Sequence, residues 1–220
     1  MLVRQISLKR GITTNAVNIT DHKEIQEALS QLEIPHPNSV IVLVGGAGGI
    51  GWLDKFPIRK AIRIIARLAE ETRSVVVDGG TQAGIMTEMG KQRKRNHFSF
   101  PLIGVVFDSL LMRKAPESIL DPNHTHFFLV PGDKWGDESA WISKIATAIA
   151  GDKKSLTILV NGGNISQTDV EYSLLENRAA VVMRGTGRMA DKIMLTGNVL
   201  AVRISQTSEE ILNFLKARLV

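Results

Sequence analysis

The 220-residue chain contains no cysteine, which excludes disulfides, thiolate metal sites and a cysteine nucleophile, and accords with a reducing compartment. It also lacks any apolar run near the roughly 20 residues needed to cross a bilayer, and its opening, MLVRQISLKRG, has no signal-peptide core. Neither membrane insertion nor export is expected, and the cytoplasm is the compartment assigned. Aromatic residues make up only 5% of the chain, with a single tyrosine. That tyrosine, Tyr172, is followed four positions later by Glu176, so the Tyr-x-x-x-Lys pair of short-chain dehydrogenases is missing. No serine sits in a Gly-x-Ser-x-Gly nucleophile elbow.

What is present is a chain able to bury one substantial core, with 44% hydrophobic residues, and its length favours one domain over 1–220. The formal charge of +5 and a pI near 9.6 suit an anionic ligand. Nucleic acid is not the expected partner, because the basic excess is the only feature that favours it. The densest basic run, Lys91, Arg93, Lys94 and Arg95, falls at a predicted helix end, where cations stabilise the negative terminus without any partner.

Short β-branched runs alternate with longer helical patterns, a rhythm that predicts α/β crossovers and a mostly parallel sheet. Strands are predicted over 40–44, 74–78, 102–107, 126–130, 156–160, 180–183 and 199–204, several of them nearly all apolar, as strands buried on both faces are. Helices are predicted over 21–32, 57–71, 83–95, 138–150, 167–177, 187–195 and 208–219, the last with Ser208 as its cap. The proline-containing stretch 115–123 reads as a loop.

Glycines cluster directly after these strands. Gly45, Gly46, Gly48, Gly49 and Gly51 follow the first; Gly79, Gly80 and Gly84, then Gly162 and Gly163, then Gly185 and Gly187 follow later ones. In an open parallel sheet the carboxyl ends of the strands share one edge, and ligands bind in the crevice outside it. Glycine permits close backbone approach, and a following helix start offers unpaired amides and a positive dipole end to phosphate. Each cluster alone also reads as a tight turn, but together they predict a shared anion site, with Gly80 close to phosphate. The sequence Gly46-Ala47-Gly48-Gly49-Ile50-Gly51 matches the dinucleotide fingerprint literally, yet 52–56 intervenes before Pro57 opens the helix, so hydride transfer is not expected.

The segment Val76-Val77-Asp78-Gly79-Gly80-Thr81-Gln82-Ala83-Gly84-Ile85-Met86 resembles the first nucleotide loop of the SLOG superfamily, which includes the cytokinin-activating phosphoribohydrolases. Leu120-Asp121-Pro122-Asn123-His124-Thr125-His126-Phe127-Phe128-Leu129-Val130 and Gly185-Thr186-Gly187-Arg188-Met189-Ala190-Asp191 resemble the cytosolic amino-terminal region of melastatin-type TRP channels. The resemblance implies a Rossmann-like three-layer sandwich of the prokaryotic TRPM-related (LSDAT) type. It implies a sensor of a nucleotide-derived ligand, ADP-ribose-like or NAD-derived, with no further cofactor required. The bound state would be transmitted through a homo-oligomer or another partner.

The ligand residues that follow from the loops and the resemblance are Gly45, Gly46, Ala47, Gly79, Gly80, Thr81, Gly84, Trp135, Gly162, Gly163, Asn164, Gly185, Thr186, Gly187 and Arg188. Arg188 matches the family's phosphate-contacting arginine, and a planar guanidinium pairs well with two phosphate oxygens. A structural pair with Asp191 is the alternative. Trp135 falls near the family's ligand-stacking tyrosine, with plain packing as the alternative. The additional ligand arginine of the channels aligns with Ile142, with Lys144 as a substitute nearby.

An enzymatic reading also stays open. The phosphoribohydrolases carry Gly-Gly-x-Gly-Thr-x-x-Glu, which is replaced here by Gly162-Gly163-Asn164-Ile165-Ser166-Gln167-Thr168-Asp169. Asp169 or Glu171 would then be the catalytic carboxylate for hydrolysis of an N-glycosidic bond. His124-x-His126 lacks the further ligands a metal needs, so no metal site is assigned. Asp78 suits either a ribose hydroxyl or the cap of its own turn.

Overall fold

The computed structural model describes residues 3–46 and 55–220. The motif residues Ala47, Gly48, Gly49 and Gly51 lie outside them. The strands are β1 (Val3–Ser7), β2 (Thr13–Asn18), β3 (Ser39–Gly45), β4 (Ser74–Asp78), β5 (Leu102–Phe107), β6 (His126–Val130), β7 (Lys154–Val160), β8 (Ala179–Arg184) and β9 (Val199–Arg203). They form one sheet of nine strands in the order β1-β2-β6-β5-β4-β3-β7-β8-β9. Every neighbouring pair is parallel except β1 with β2.

Helices cover both faces, as the predicted α/β sandwich requires. Successive residues of a strand point to opposite faces, and β3 divides its side chains accordingly. Val40, Val42 and Val44 pack with α1 (Ile25–Gln31), α6 (Ser139–Ala150) and α7 (Asn164–Leu175). Ile41 and Leu43 pack with α2 (Lys55–Thr72), α3 (Gly84–Arg95) and α9 (Ser208–Lys216). In α2 the buried residues Ile58, Ile62, Ile65 and Leu68 recur at helical spacing. A third cluster closes the β5–β6 end, where α4 (Asp108–Arg113) and α5 (Pro116–Ile119) contribute Leu110 and Ile119.

The predicted strands are present, and β4, β5 and β6 have the predicted bounds. Several details differ for local reasons. Strands β1 and β2 have no counterpart in the sequence reading, because β1 is an edge strand that buries only Ile6 and β2 mixes Thr and Asn with its apolar residues. The stretch read as a loop at 115–123 contains α5, one turn opened by Pro116. Thr207, not Ser208, caps α9: its hydroxyl accepts from the Glu210 amide at 3.2 Å, while the Glu210 carboxylate accepts from the Thr207 amide at 2.8 Å. The helix predicted over 187–195 shrinks to α8 (Met189–Lys192), because Gly187 and Arg188 hold φ values of 92° and 52° that no right-handed helix accommodates. The basic run behaves as expected, with Arg93, Lys94 and Arg95 in the last turn of α3.

Among the described residues no helix is long and apolar enough to cross a membrane.

Candidate functional site

The chain leaves β3 toward α2 on one face and leaves β7 toward α7 on the other, so the neighbouring carboxyl ends of β3 and β7 diverge. Such a switch of direction opens a crevice in a parallel sheet. A cleft of about 790 Å³ lies there, of the size that holds a small organic ligand.

Of the residues singled out in the sequence, Gly45, Gly46, Gly79, Thr81, Trp135, Gly163, Asn164 and Arg188 line this cleft. Gly163 precedes α7, its amide donating to Ser166 Oγ at 3.2 Å, and Gly163, Asn164, Ile165 and Ser166 all line the cleft, so the α7 amino terminus opens onto it. The amides and dipole of that terminus favour an anion. Arg188 stands beside it: a methyl group added to Gly46 or to Gly163 would lie 3.1 or 3.2 Å from the guanidinium nitrogens. The absence of a side chain at both positions gives the guanidinium its place against the two loops.

The backbone that presents Arg188 is stitched to β7. Asn161 is buried with φ of 60°, and its backbone amide donates to Thr186 Oγ1 at 2.8 Å. Its side-chain amide donates to the Thr186 carbonyl at 2.7 Å, and its carbonyl accepts from Ala190. Asp191 accepts from the Gly185 and Gly187 amides at 2.6 and 2.9 Å. The carboxylate thus closes the loop that presents Arg188.

The remaining glycines of the sequence reading serve the backbone. Gly80 does not line the cleft; with φ of 62°, a Cβ there would sit 2.7 Å from Gly104 Cα and 2.8 Å from the Phe127 ring. Packing against β5 and β6 accounts for Gly80. Gly84 begins α3, and Gly162, Gly185 and Gly187 have φ values of 88°, 85° and 92°, the left-handed region that favours glycine. Thr186 is buried in the bonds just described, its hydroxyl donating to the Met183 carbonyl at 2.7 Å.

Trp135 is 52% exposed at the cleft, with Phe107 edge-on against it at 5.3 Å between ring centres. One aromatic contact fixes the indole while about half its surface stays accessible, which is unlike core packing and suits a stacking platform. Ile142 lines the cleft, so the position aligned with the channels' additional arginine is apolar. Lys144 does not line it; its charge helps, after burial, to lower the His22 pKa.

Two carboxyl groups complete the wall. Asp169 on α7 lines the cleft, and its Oδ1 is buried without a hydrogen-bond partner. Burial and the neighbouring Glu138 push its pKa up to about 7, against an opposing effect of the Ser139 hydroxyl. Glu138, buried at the start of α6, is likewise raised, chiefly by burial; its Oε2 accepts from the Gly136 amide at 2.9 Å. Glu171 is exposed on α7, where its carboxylate accepts from Gln167, and does not line the cleft. Sequence reasoning missed Glu138, whose only signal was an acid beside Trp135 at a helix start, and the apolar lining of Leu43, Val44 and Met86.

Behind the Gly79–Thr81 loop lies a second, closed acid cluster. His124 places Nε2 2.8 Å from Asp78 Oδ1 and Nδ1 3.3 Å from Asp121 Oδ1, all three side chains being almost wholly buried. Burial lowers the His124 pKa, but the two carboxylates outweigh it and hold it at about 9. Asp78 Oδ1 also accepts from the Gly80 amide at 2.7 Å, so Asp78 caps its turn inside the protein. His126 lies in β6, its Nδ1 2.9 Å from Thr125 Oγ1.

The family model described as SLOG in TRPM, prokaryote, matches residues 38–218. The chain belongs to this family. All the cleft residues named above fall within that match. The chain is similar to transient receptor potential cation channel subfamily M member-like 2 of Nematostella vectensis, 27% identical over 209 residues. The alignment covers 75% of this chain and 13% of that relative, so the chain corresponds to a small part of the channel protein. The fold is shared with the X-ray structure of TM1055, a structural-genomics target, at a TM-score of 0.60 and 16% identity, covering 81% of this chain and 99% of that one. The SLOG fold is therefore Rossmann-like α/β, as the resemblance implied.

Proposed function

We propose that the cleft binds a nucleotide-derived anion, ADP-ribose-like or NAD-derived, and that this SLOG domain senses the ligand and passes its bound state to a partner or to a second copy. The observation that carries this reading is the convergence of Gly46, Gly163, the α7 amino terminus and Arg188 on one cleft at the β3/β7 switch point. The amides and guanidinium supply donors and positive potential for phosphate. Trp135 supplies an accessible ring for a base. Membership of the SLOG-in-TRPM family and the TM1055-like fold support a nucleotide-related role.

Calorimetric titration with ADP-ribose, NAD and AMP tests the proposal, with binding by at least one expected. Absence of binding by all three at millimolar concentration would remove the nucleotide reading. A second reading, hydrolysis of a nucleotide N-glycosidic bond, draws on Asp169, whose pKa near 7 suits proton transfer at neutral pH. Release of free base from AMP during incubation, lost in Asp169→Asn, would convert the sensor into a hydrolase. Recovery of intact nucleotide would retain the sensor.

A further inference from the structure

Glu138 and Asp169 present a chemistry opposite to that of the phosphate loops, and the sensor reading gives neither a role. Asp169 has a buried oxygen without a hydrogen-bond partner on the wall of a ligand-sized cleft, a costly arrangement unless a ligand completes it. Among the described residues neither acid takes part in a salt bridge. Glu138 is tied through the Gly136 amide to the loop that carries Trp135, the proposed base platform.

We infer that Glu138 and Asp169 form the ribose wall of the cleft and make it select nucleotides whose base-bearing ribose has free hydroxyls, rejecting those phosphorylated there. This rests on the nucleotide reading above and adds a specificity to it. Two neighbouring acids in a poorly solvated place resist ionising together, so one tends to keep a proton and donate while the other accepts. A hydroxyl both donates and accepts, and a vicinal diol does so twice, which matches such a pair. A phosphate on the same ribose offers mostly acceptors and brings more negative charge against two acids. The groups facing Asp169 are Glu138, with Asp137 next to it in sequence, and Arg188 across the cleft beside Gly46 and Gly163. Arg188 belongs to the phosphate end. Both acids being raised by burial agrees with a wall that holds a proton near neutrality.

The test titrates the protein at pH 6 with ADP-ribose, with its adenosine 2′-phosphate and with its 2′-deoxy analogue, using wild type, Asp169→Asn and Glu138→Gln. Wild type should bind ADP-ribose about tenfold or more tighter than either analogue, the discrimination typical of a hydrogen bond to a charged group. Asp169→Asn, or Glu138→Gln, should shrink both gaps while circular dichroism shows an unchanged fold. A purely structural role would alter all three affinities alike. Equal binding of the three ligands by wild type, or gaps unchanged in both variants, would overturn the ribose wall and leave the nucleotide site standing. Failure of wild type to bind any of them would overturn the nucleotide reading itself, and the ribose wall with it.

Discussion

Two acid clusters flank the same cleft and are built in opposite ways. Asp78 and Asp121 enclose His124 behind the Gly79–Thr81 loop, with geometry that pairs each carboxylate with one ring nitrogen. Glu138 and Asp169 face the cleft beside each other, Asp137, a serine hydroxyl and backbone amides, and among the described residues neither forms a salt bridge. Burying a charge is expensive unless it is paired, and in the first cluster His124 pairs both carboxylates, although Asp78 Oδ2 is left without a hydrogen bond. The second has no such cation partner among the described residues and borders the cleft. The first consequently serves the shape of a loop, while the second bears the stamp of a binding surface, where local stability gives way to recognition.

The comparison is broken most strongly at its closed end. His124→Ala removes the cation and leaves two buried carboxylates facing each other, and should cost about 3–5 kcal/mol of stability in urea unfolding. The pH dependence has a definite sign. The folded pKa of about 9 lies above the ordinary histidine value of about 6.5, so the histidine's contribution is fully present below about 6.5 and is lost as pH rises through about 9. Wild-type stability should decline across that window, and the histidine's part of the decline should vanish in the variant.

Gly80→Val attacks the same region through the backbone, adding a side chain at positive φ against Gly104 and Phe127. A loss of about 2–4 kcal/mol is expected from strain and overpacking combined. Thermal unfolding measures it, and a variant as stable as wild type would show that β4, β5 and β6 pack less tightly than described.

The open side should respond in binding. Arg188→Ala is expected to weaken ADP-ribose by about 1.5–3 kcal/mol, the range for hydrogen bonds to a charged group, with a smaller change in melting temperature. If the variant instead unfolds early and binds normally, the arginine belongs with the closed cluster in kind.

Smallest is the effect of Asp169→Asn on the empty protein. The folded pKa of about 7 exceeds the ordinary aspartate value of about 3.8, so this group's contribution is present below about 4 and is lost as pH rises through 7. Asparagine removes that loss, and should raise stability at pH 8 by about 1 kcal/mol, or roughly 2–4 °C, with little change at pH 4. The windows for Asp169 and His124 differ, so melting curves at pH 4, 6.5 and 9 separate the clusters.

How far these features could be read in advance varied with their neighbours. Strands β4, β5 and β6 are buried on both faces, so their side chains are apolar without interruption and their limits are visible in the chain. Strand β1 exposes Arg4, Gln5 and Ser7 and gains its place by pairing with β2, a contact no local pattern announces. Gly46 and Gly80 look alike as glycines after strands, yet one borders Arg188 and the other is held against Phe127. Glu138 reads as an ordinary acid at a helix start, a place where the dipole alone would favour it.

The order of apolar runs and helical patterns by itself determined the parallel sheet, the strand ends that carry the loops, and the presence of an arginine beside Gly-Thr-Gly. Strand order, and with it the switch point between β3 and β7, came only from the tertiary structure, because β7 pairs with β3 after three others, β4, β5 and β6, have intervened in sequence. That arrangement also decided which acids were matched with a cation. Asp78 meets His124 from 46 positions away, whereas Glu138 meets Asp169 across two helices, and the energy of a buried charge depends on those distant neighbours rather than on the residues beside it in the chain.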